Sequence, residues 1–403
     1  MYLLTAVADM VCIDVTQDKQ LSTTSEWKKT LYRLWNNMTD KKMYMTGGIG
    51  SIKQWEGFGR DYFLPQSTDE GGCYAETCAS IAVMMLAERL LHVDLDGKFA
   101  DVMELCLYNN VMTSMSLDGR AFTYVNQLGS SESDRSVREE WFWCACCPPN
   151  VTRLYGSLGG YLWDYGEISE GGEAFINVHL YTKARVKFTV ANKQVTFKQD
   201  SNWPWDGLIK FRLTAPQSLR TTIRLRVPAW SRGQYTLRPE PSGKTAYLHK
   251  GYLILDPAFI MENPEFSLDI GSFAPRYIAP HPYTNQRTLT LARGPLVYCI
   301  EDVDNPWEDN HFKDVGLKSS SLINEERRYL DGAEEEYIAL KTSCWRRTLE
   351  PHESGMAPGR VVDDMTSTAG IEKEAVFVPY YLRANRGGDG HMRVGLNHIC
   401  SLS

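Results

Sequence analysis

The sequence lacks the features that would indicate a nucleic-acid-binding or membrane protein. Its formal net charge of −7 gives no electrostatic reason to bind nucleic acid or an anionic membrane surface. No apolar run is long enough to span a bilayer. The apolar start has no basic segment before it and is interrupted by Asp9 and Asp14, so a core helix is predicted there rather than a signal peptide. We expect neither nucleic acid nor a membrane as a partner.

The sequence also lacks a disulfide framework, internal repeats and low-complexity segments. Its ten cysteines are not evenly spaced, and a chain of 403 residues does not need disulfides to form a core. Reduced thiols and a cytoplasmic location are therefore expected. The length predicts two or three domains.

Cysteine is nevertheless concentrated in one stretch, WFWCACCPPN, with three cysteines in four residues (141–150). A disulfide between adjacent Cys146 and Cys147 would be strained. The two prolines that follow are expected to keep the preceding residues out of helical geometry, and Asn150 is expected to cap a helix over Val151–Trp163. Thiols just before a helix N-terminus are favoured as thiolates, which suits a metal or substrate site. The alternative is that these are buried apolar cysteines.

The hydrophobic pattern of residues 1–165 has the period of helices. The expected helical segments are Leu3–Val11, Ser25–Met38, Tyr74–His92, Lys98–Ser116 and Val151–Trp163. The glycines of YMTGGIGS (44–51) indicate close backbone approach or positive φ. No GK[ST] follows them, so nucleotide binding is not predicted.

From Gly166 onward, short runs with strand-like composition alternate with Gly, Pro, Asn and Asp turns, which is typical of β-sandwiches. We expect a sandwich over residues 166–287 and a second β-rich domain over 288–403, whose last strands could return to the first sandwich. Residues 303–335 and 350–370 are expected to be loops. The predicted strands are 175–181, 184–191, 194–198, 207–214, 221–227, 245–249, 252–255, 266–270, 289–301, 337–342 and 375–385.

A second group of candidate residues lies upstream of the cysteine-rich stretch. Glu76 and Cys78 are two residues apart and would diverge on a continuous helix, so they share a site only if the helix begins there. Together with Cys146 and Cys147 they offer one carboxylate and three thiolates, a donor set that suits tetrahedral Zn²⁺. Cys73 is an alternative ligand. The spacing is not that of a zinc finger.

Three further residues are candidates for catalysis or binding. Glu56 lies between aromatic residues, which would desolvate its carboxyl group and suit general-acid chemistry; a solvated surface glutamate is the alternative. Glu104 and Tyr124 could face a polar pocket, although Glu104 could equally be an exposed helix residue. Cys144 is an incidental or substitute thiol.

The segments YMTGGIGS, WEGF, CYAETCAS, ELCLYNN, AFTYVNQL and WFWCACCPPNVTRL resemble the catalytic part of glycoside hydrolase family 127, the β-L-arabinofuranosidases. The later segments LRVPAW, RGPLVYCIE and VPYYLRANRG resemble the β-domains of that family. The resemblance thus runs along nearly the whole chain, and ETCAS together with CACCPPN is its most specific part. It implies a multidomain α plus β protein, with the C-terminal part of an (α/α)6 barrel followed by two β-sandwich-like domains over 166–287 and 288–403.

The resemblance also implies a zinc-dependent retaining glycosidase that releases terminal β-L-arabinofuranose from glycans or glycoproteins. By motif, Cys146 is the nucleophile and Glu56 the acid/base. Glu76, Cys78 and Cys147 are zinc ligands together with Cys146. Glu104 and Tyr124 match positions that line the sugar pocket, and a homodimer is expected from the β-domains.

The chain departs from the family at its start. MYLLTAVADM resembles the tail of a family segment, no histidine precedes His92, and about five helices replace six hairpins. The resemblance therefore implies an N-terminally truncated barrel. A catalytically incomplete zinc-binding fragment, a carbohydrate-binding remnant and a hydrolase of another pentose-like sugar are the alternatives. A thiol redox protein fits less well, because a vicinal cysteine pair lacks the C-x-x-C spacing.

Overall fold

The computed structural model describes residues 1–16, 22–169, 173–307, 310–330, 335–346 and 370–399. A helical region comes first in the chain, and three β-sheets follow it. The predicted α plus β organisation is confirmed. The loop predicted over 350–370 lies almost entirely outside the described residues, and Cys400 lies outside them as well.

The helices of the first region lie where they were predicted, but the C-terminal end of the fourth and both ends of the fifth differ from the prediction. Helix α3 (Thr77–Val93) is mostly apolar, and most of its residues are buried between its neighbours, with His92 exposed near its C-terminal end. The apolar stripes of α1 and α2 contribute Val11 and Trp35 to the same core. The helices are α1 (Tyr2–Thr16), α2 (Ser22–Lys41), α3 (Thr77–Val93), α4 (Gly97–Leu105), α5 (Cys147–Ser157) and α6 (Gly159–Leu162).

The helix predicted to reach Ser116 ends earlier as an α-helix. After α4 the backbone forms a π-helical segment, Cys106–Val111, and a 3-10 turn, Met112–Ser114. Asn109 in the π segment donates to the carbonyl of Pro295 at 3.1 Å and accepts from the amide of Val297 at 2.7 Å. The local change of helix type therefore joins the helical region to the last β-sheet.

Two five-stranded sheets form the expected sandwich, with strand orders β1-β2-β6-β9-β8 and β3-β4-β5-β10-β7. Their inward residues, such as Ile223 and Phe197, belong to one core. The strands are β1 (Trp163–Ser169), β2 (Glu173–Val178), β3 (Ala184–Val190), β4 (Lys193–Ser201), β5 (Leu208–Thr214), β6 (Arg220–Arg226), β7 (Tyr235–Arg238), β8 (Ala246–His249), β9 (Tyr252–Leu255) and β10 (Glu265–Ile270), with the short helix α7 (Pro257–Glu262) before β10.

The third sheet contains nine strands in the order β11-β12-β19-β14-β16-β17-β13-β18, with β15 paired to β16. The last strands therefore stay in this sheet and do not return to the first sandwich. The strands are β11 (Arg276–Ile278), β12 (Thr288–Arg293), β13 (Leu296–Glu301), β14 (Val315–Leu317), β15 (Asn324–Tyr329), β16 (Glu336–Arg346), β17 (Ile371–Pro379), β18 (Met392–Arg393) and β19 (Leu396–His398).

Three strand predictions need correction. The run over 289–301 is a hairpin, because Gly294 turns the chain at a φ of +50° so that Arg293 pairs with Leu296. The run over 375–385 ends at Pro379, after which a 3-10 turn begins. The loop predicted over 303–335 contains the short buried strand β14 and the strand β15, whose polar residues pair with β16.

The described cysteines are all free thiols, as expected, and no described helix is both long and apolar enough to cross a bilayer.

Candidate functional site

Glu76 and Cys78 are brought together because a helix begins between them. Helix α3 starts at Thr77, and Glu76 is its N-cap residue with extended geometry, φ −57° and ψ 138°. The amide of Thr77 donates to the carbonyl of Tyr124 at 3.1 Å, and that of Ala75 to the carbonyl of Gly50 at 2.7 Å. The condition that the spacing imposed is therefore met: the helix begins there.

Cys146 and Cys147 also lie at a helix start, but not as predicted. Helix α5 begins at Cys147, and Cys146 is already helical with φ −73° and ψ −36°. Asn150 is thus inside the helix and is not its cap. The two prolines occupy the first turn, where a missing N–H costs no intrahelical hydrogen bond, so they start the helix rather than delay it.

The four donor residues converge from these two helix starts. The Cys146 thiol lies 3.3 Å from Glu76 Oε1 and 3.8 Å from Cys147 Sγ. The Cys78 thiol lies 3.4 Å from Cys147 Sγ, and Cys147 Sγ lies 3.7 Å from Glu76 Oε1. One donor atom from each residue lies within 4.8 Å of every other. Three of the residues are buried and Cys146 is half-buried, so Cys146 is the most accessible of the four donors.

The ionisation of the thiols in this cluster would be favoured by a bound cation. Burial raises the pKa of Cys146 to about 12. The hydrogen bond with Cys78, together with burial, raises the pKa of Cys147, and the same hydrogen bond lowers the pKa of Cys78. Without a cation, ionisation of Cys146 and Cys147 is therefore disfavoured. A divalent cation would favour all three thiolates, and a donor set of three sulfurs and one oxygen fits Zn²⁺.

A cavity of about 880 Å³ opens beside the cluster. Besides Glu76, Cys78 and Cys146, its wall includes Glu56, Phe58 and Arg153. This volume would hold a sugar residue with part of its leaving group. Glu56 is exposed rather than desolvated, because the neighbouring Trp55 is 89% exposed and does not cover it. Among the described residues, aromatic side chains therefore do not enclose the Glu56 carboxyl group as expected.

Two tyrosines connect Glu56 to the cluster. The Tyr124 hydroxyl lies 3.2 Å from Glu56 Oε1 and 3.2 Å from Cys146 Sγ. The Tyr74 hydroxyl lies 3.4 Å from the same Glu56 oxygen. Burial raises the pKa of Tyr124 well above its ordinary range and that of Tyr74 to about 12, so both are hydroxyl donors at neutral pH. Tyr124 was predicted from the sequence as a site residue, whereas Tyr74 was not. The sequence feature that could have indicated Tyr74 is its position two residues before Glu76.

Glu104 lies elsewhere in the molecule, so its predicted place in the sugar pocket needs correction. It is 1% exposed, and Arg226 donates to its Oε1 at 2.5 Å while Trp230 Nε1 donates to its Oε2 at 3.0 Å. It does not line the cavity. Both partners come from the first sandwich, so Glu104 fixes α4 to that domain.

The alternative thiol ligands are also placed outside the cluster. Cys73 is buried and donates to the carbonyl of Asn126 at 3.8 Å, and burial raises its pKa to about 12. Cys144 is exposed.

A second group of potential ligands, Glu132, His311 and His391, is less well arranged for a metal. The two imidazole rings are stacked, with centroids 4.0 Å apart and planes at 5°. Because the lone pairs of an imidazole lie in its ring plane, stacked rings direct them along parallel planes rather than toward one ion. Ser130 Oγ holds His311 Nδ1 at 2.7 Å, which indicates a structural histidine pair.

Comparison with known proteins agrees with this architecture. The models of the GH127 catalytic, middle and C-terminal domains match residues 5–160, 175–256 and 275–397. The non-reducing end β-L-arabinofuranosidase of Bifidobacterium longum subsp. longum is 36% identical over an alignment 383 residues long, which covers 91% of this chain and 55% of that protein. The chain thus spans just over half the length of this curated relative.

Solved structures are similar over almost the whole chain. A GH127 β-L-arabinofuranosidase from Geobacillus stearothermophilus T6 is 30% identical with a TM-score of 0.79, covering 99% of this chain and 60% of that one. A structure described as a glycoside hydrolase is 25% identical with a TM-score of 0.81, covering 98% and 65%. Three domain models in the family's order and a full-length structural match lead to one conclusion: the chain belongs to glycoside hydrolase family 127.

Proposed function

We propose that this chain is a zinc-dependent retaining glycosidase that releases terminal β-L-arabinofuranose from glycans or glycoproteins. Glu76, Cys78, Cys146 and Cys147 would hold the ion, with Cys146 as nucleophile and Glu56 as acid/base. One observation carries the proposal. Cys146 Sγ and Glu56 Oε1 face one cavity and are joined through the Tyr124 hydroxyl, at 3.2 Å each.

The chemistry of these residues is a double displacement. Bound zinc would keep Cys146 deprotonated at neutral pH. The thiolate attacks the anomeric carbon, so that a C–S bond forms while the glycosidic C–O bond breaks and Glu56 gives its proton to the leaving oxygen. Water then attacks the same carbon and gives a proton to Glu56, and the C–S bond breaks to restore the thiolate.

The substrate assignment rests on the family and on the names of its relatives, since the B. longum and Geobacillus proteins are described as β-L-arabinofuranosidases. The match of residues 5–160 to the catalytic-domain model supports a further proposal, that the helical region is the C-terminal part of an (α/α)6 barrel. Carbohydrate is the proposed partner, and a homodimer remains a prediction.

Hydrolysis of an aryl β-L-arabinofuranoside by the reduced, zinc-loaded chain tests the proposal. Cys146→Ser should lower turnover by at least a thousandfold, because a serine hydroxyl is not ionised at neutral pH. Cys144→Ser is the matched control, since this exposed thiol lies two residues away and outside the cluster. Full activity of Cys146→Ser would refute the nucleophile assignment.

A second candidate is a zinc-binding chain without turnover. Leu3, Met10 and Ile13 are exposed on α1, although apolar helix faces are normally covered by neighbouring helices. One zinc per chain with no hydrolysis of any pentofuranoside would favour this candidate. Turnover of a different pentoside alone would instead keep the mechanism and change the sugar.

A further inference from the structure

The Tyr124 hydroxyl lies between the two proposed catalytic groups. Its oxygen is 3.2 Å from Cys146 Sγ and 3.2 Å from Glu56 Oε1. With Cys146 as a thiol, the thiol donates to the Tyr124 hydroxyl, which in turn donates to Glu56 Oε1. Once Cys146 is a thiolate it can only accept, and because a phenol has one hydrogen, Tyr124 can then donate to the sulfur or to the carboxyl group, but not to both at once. The two groups are charged at different stages of a double displacement, because the thiolate is consumed when Glu56 loses its proton.

Tyr74 supplies a second donor to Glu56, and its hydroxyl also interacts with the Tyr124 hydroxyl. Its hydroxyl lies 3.4 Å from Oε1, the oxygen that Tyr124 also reaches, and the two tyrosine rings are 5.9 Å apart. Hydrogen bonds hold the main chain of both residues, since Asn126 N donates to Tyr74 O at 3.3 Å and Thr77 N to Tyr124 O at 3.1 Å. Tyr74 is therefore fixed by the segment that also carries Glu76.

The loop that presents Glu56 is built in an unfavourable backbone conformation. Trp55 and Glu56 have φ angles of +62° and +50°, which are uncommon outside glycine. A pair of backbone hydrogen bonds between Ile52 and Gly57, at 3.2 and 3.0 Å, closes this turn. Such strain persists where the surroundings determine it, and here it directs the carboxyl group toward the two hydroxyls.

We propose that Tyr124 donates its one hydrogen bond to Cys146 and Glu56 in turn, and that Tyr74 is a positioning residue that holds Glu56 Oε1 throughout. This proposal rests on the proposed function and names two residues that determine how the site alternates between its two steps. Because Oε1 of Glu56 accepts the hydrogen bond from Tyr74, the proton that Glu56 transfers resides on its other oxygen, Oε2.

The hydrogen bonds follow the reaction stage. Before the first step, Tyr124 donates to the thiolate while Tyr74 donates to the protonated Glu56. As the C–S bond forms, the Oε2 proton leaves with the departing oxygen, and the sulfur becomes a weak thioether acceptor. Tyr124 then turns its hydrogen to the Glu56 carboxylate, which both tyrosines stabilise until it takes a proton from water. The restored thiolate recovers the Tyr124 hydrogen bond.

Tyr74→Phe tests the positioning role through its dependence on the leaving group. Substrates with alkyl or sugar leaving groups need proton donation, so their turnover should fall about tenfold when the Glu56 hydrogen bond is lost. An activated dinitrophenyl arabinofuranoside needs no acid in the first step but still needs the base in the second. It should therefore show a rapid burst of about one equivalent of phenol followed by slow turnover in rapid-quench experiments.

Tyr62→Phe is the matched control, because this tyrosine stacks on His281 with ring centroids 4.5 Å apart, and the side-chain hydrogen bonds described for Glu56 come from Tyr74 and Tyr124 instead. Tyr62→Phe should hydrolyse both substrates at the wild-type rate and, like the wild type, should show no burst of phenol. An equal loss on activated and unactivated substrates in Tyr74→Phe, without a burst, would overturn the positioning role and leave only a structural one.

A separate measurement keeps this proposal distinct from the proposed function. If the zinc-loaded wild type shows no turnover, the glycosidase proposal fails, and the hydrogen bond to sulfur is still tested by alkylation. Iodoacetamide should modify Cys146 several-fold faster in zinc-loaded Tyr124→Phe than in the wild type, because the sulfur loses its donor. Equal rates, measured by mass spectrometry of the peptide, would overturn the exchange at Tyr124.

Discussion

Glu76 and Glu104 were both candidate site residues and are both buried, but their surroundings differ. Glu104 is paired with Arg226 at 2.5 Å, and Trp230 satisfies its second oxygen. Glu76 faces the sulfurs of Cys146 and Cys147. Among the described residues no basic side chain forms an ion pair with Glu76.

The difference teaches how to separate a structural carboxylate from a functional one. A buried charge needs compensation. Where the protein supplies the countercharge, as at Glu104, the carboxylate joins two domains and has no capacity left for a ligand. Where the neighbours are further potential anions, as at Glu76, a bound cation would supply the missing countercharge.

The largest effect is expected from removing the countercharge of the structural carboxylate. Arg226→Met would leave the buried Glu104 and the half-buried Asp101 without their cation, which typically costs about 3–5 kcal/mol of unfolding free energy. Urea unfolding should report this loss. Arg224→Met on the same strand is the control and should cost about 1 kcal/mol, because Arg224 donates only to Asn177. Equal losses in both variants would contradict the special role of the Arg226 cluster.

A pH-dependent effect is expected because one arginine serves two carboxylates. Burial raises the pKa of Asp101 to about 6, and the nearby Glu104 contributes to the rise. A carboxyl group whose pKa is higher in the folded state binds its proton more tightly there, so its contribution to stability is present at low pH and is lost as pH rises through about 6.

The stability of the wild type relative to Asp101→Asn should therefore increase by roughly 2–3 kcal/mol as pH falls from 7 to 4. Urea unfolding of the two proteins at pH 7, 6, 5 and 4 measures this difference. A difference that does not vary with pH would show that Arg226 compensates Asp101 as fully as it does Glu104.

The smallest effect is expected at Glu76. Glu76→Gln keeps the size of the side chain but removes the charge facing the sulfurs, so zinc affinity should fall at least tenfold, about 1.4 kcal/mol. Competition with a chromophoric chelator measures this affinity. Glu104→Gln should leave zinc affinity unchanged, and a similar loss in both variants would erase the distinction between the two carboxylates.

The local sequence predicted much of the fold. Apolar periodicity located α3, and turn residues located eight of the ten strands of the first sandwich, because both signals depend on neighbours a few residues apart. The strands β1 and β7 were not predicted. The local sequence failed where local and tertiary signals conflict. Proline after Cys147 was taken as a barrier to helix but forms its first turn, and the polar strand β15 was taken as a loop although it pairs with β16.

The sequence by itself determined the family, the four donor residues and the requirement that a helix begin between Glu76 and Cys78, because residue identity and spacing set these. Only the tertiary structure decided which candidates meet. In the folded chain Tyr74 and Tyr124 hydrogen-bond to Glu56, whereas Glu104 pairs with Arg226, 122 residues further along the chain. The physical reason is that the compensation of a buried charge depends on what packs against it, and packing partners distant in sequence leave no local pattern.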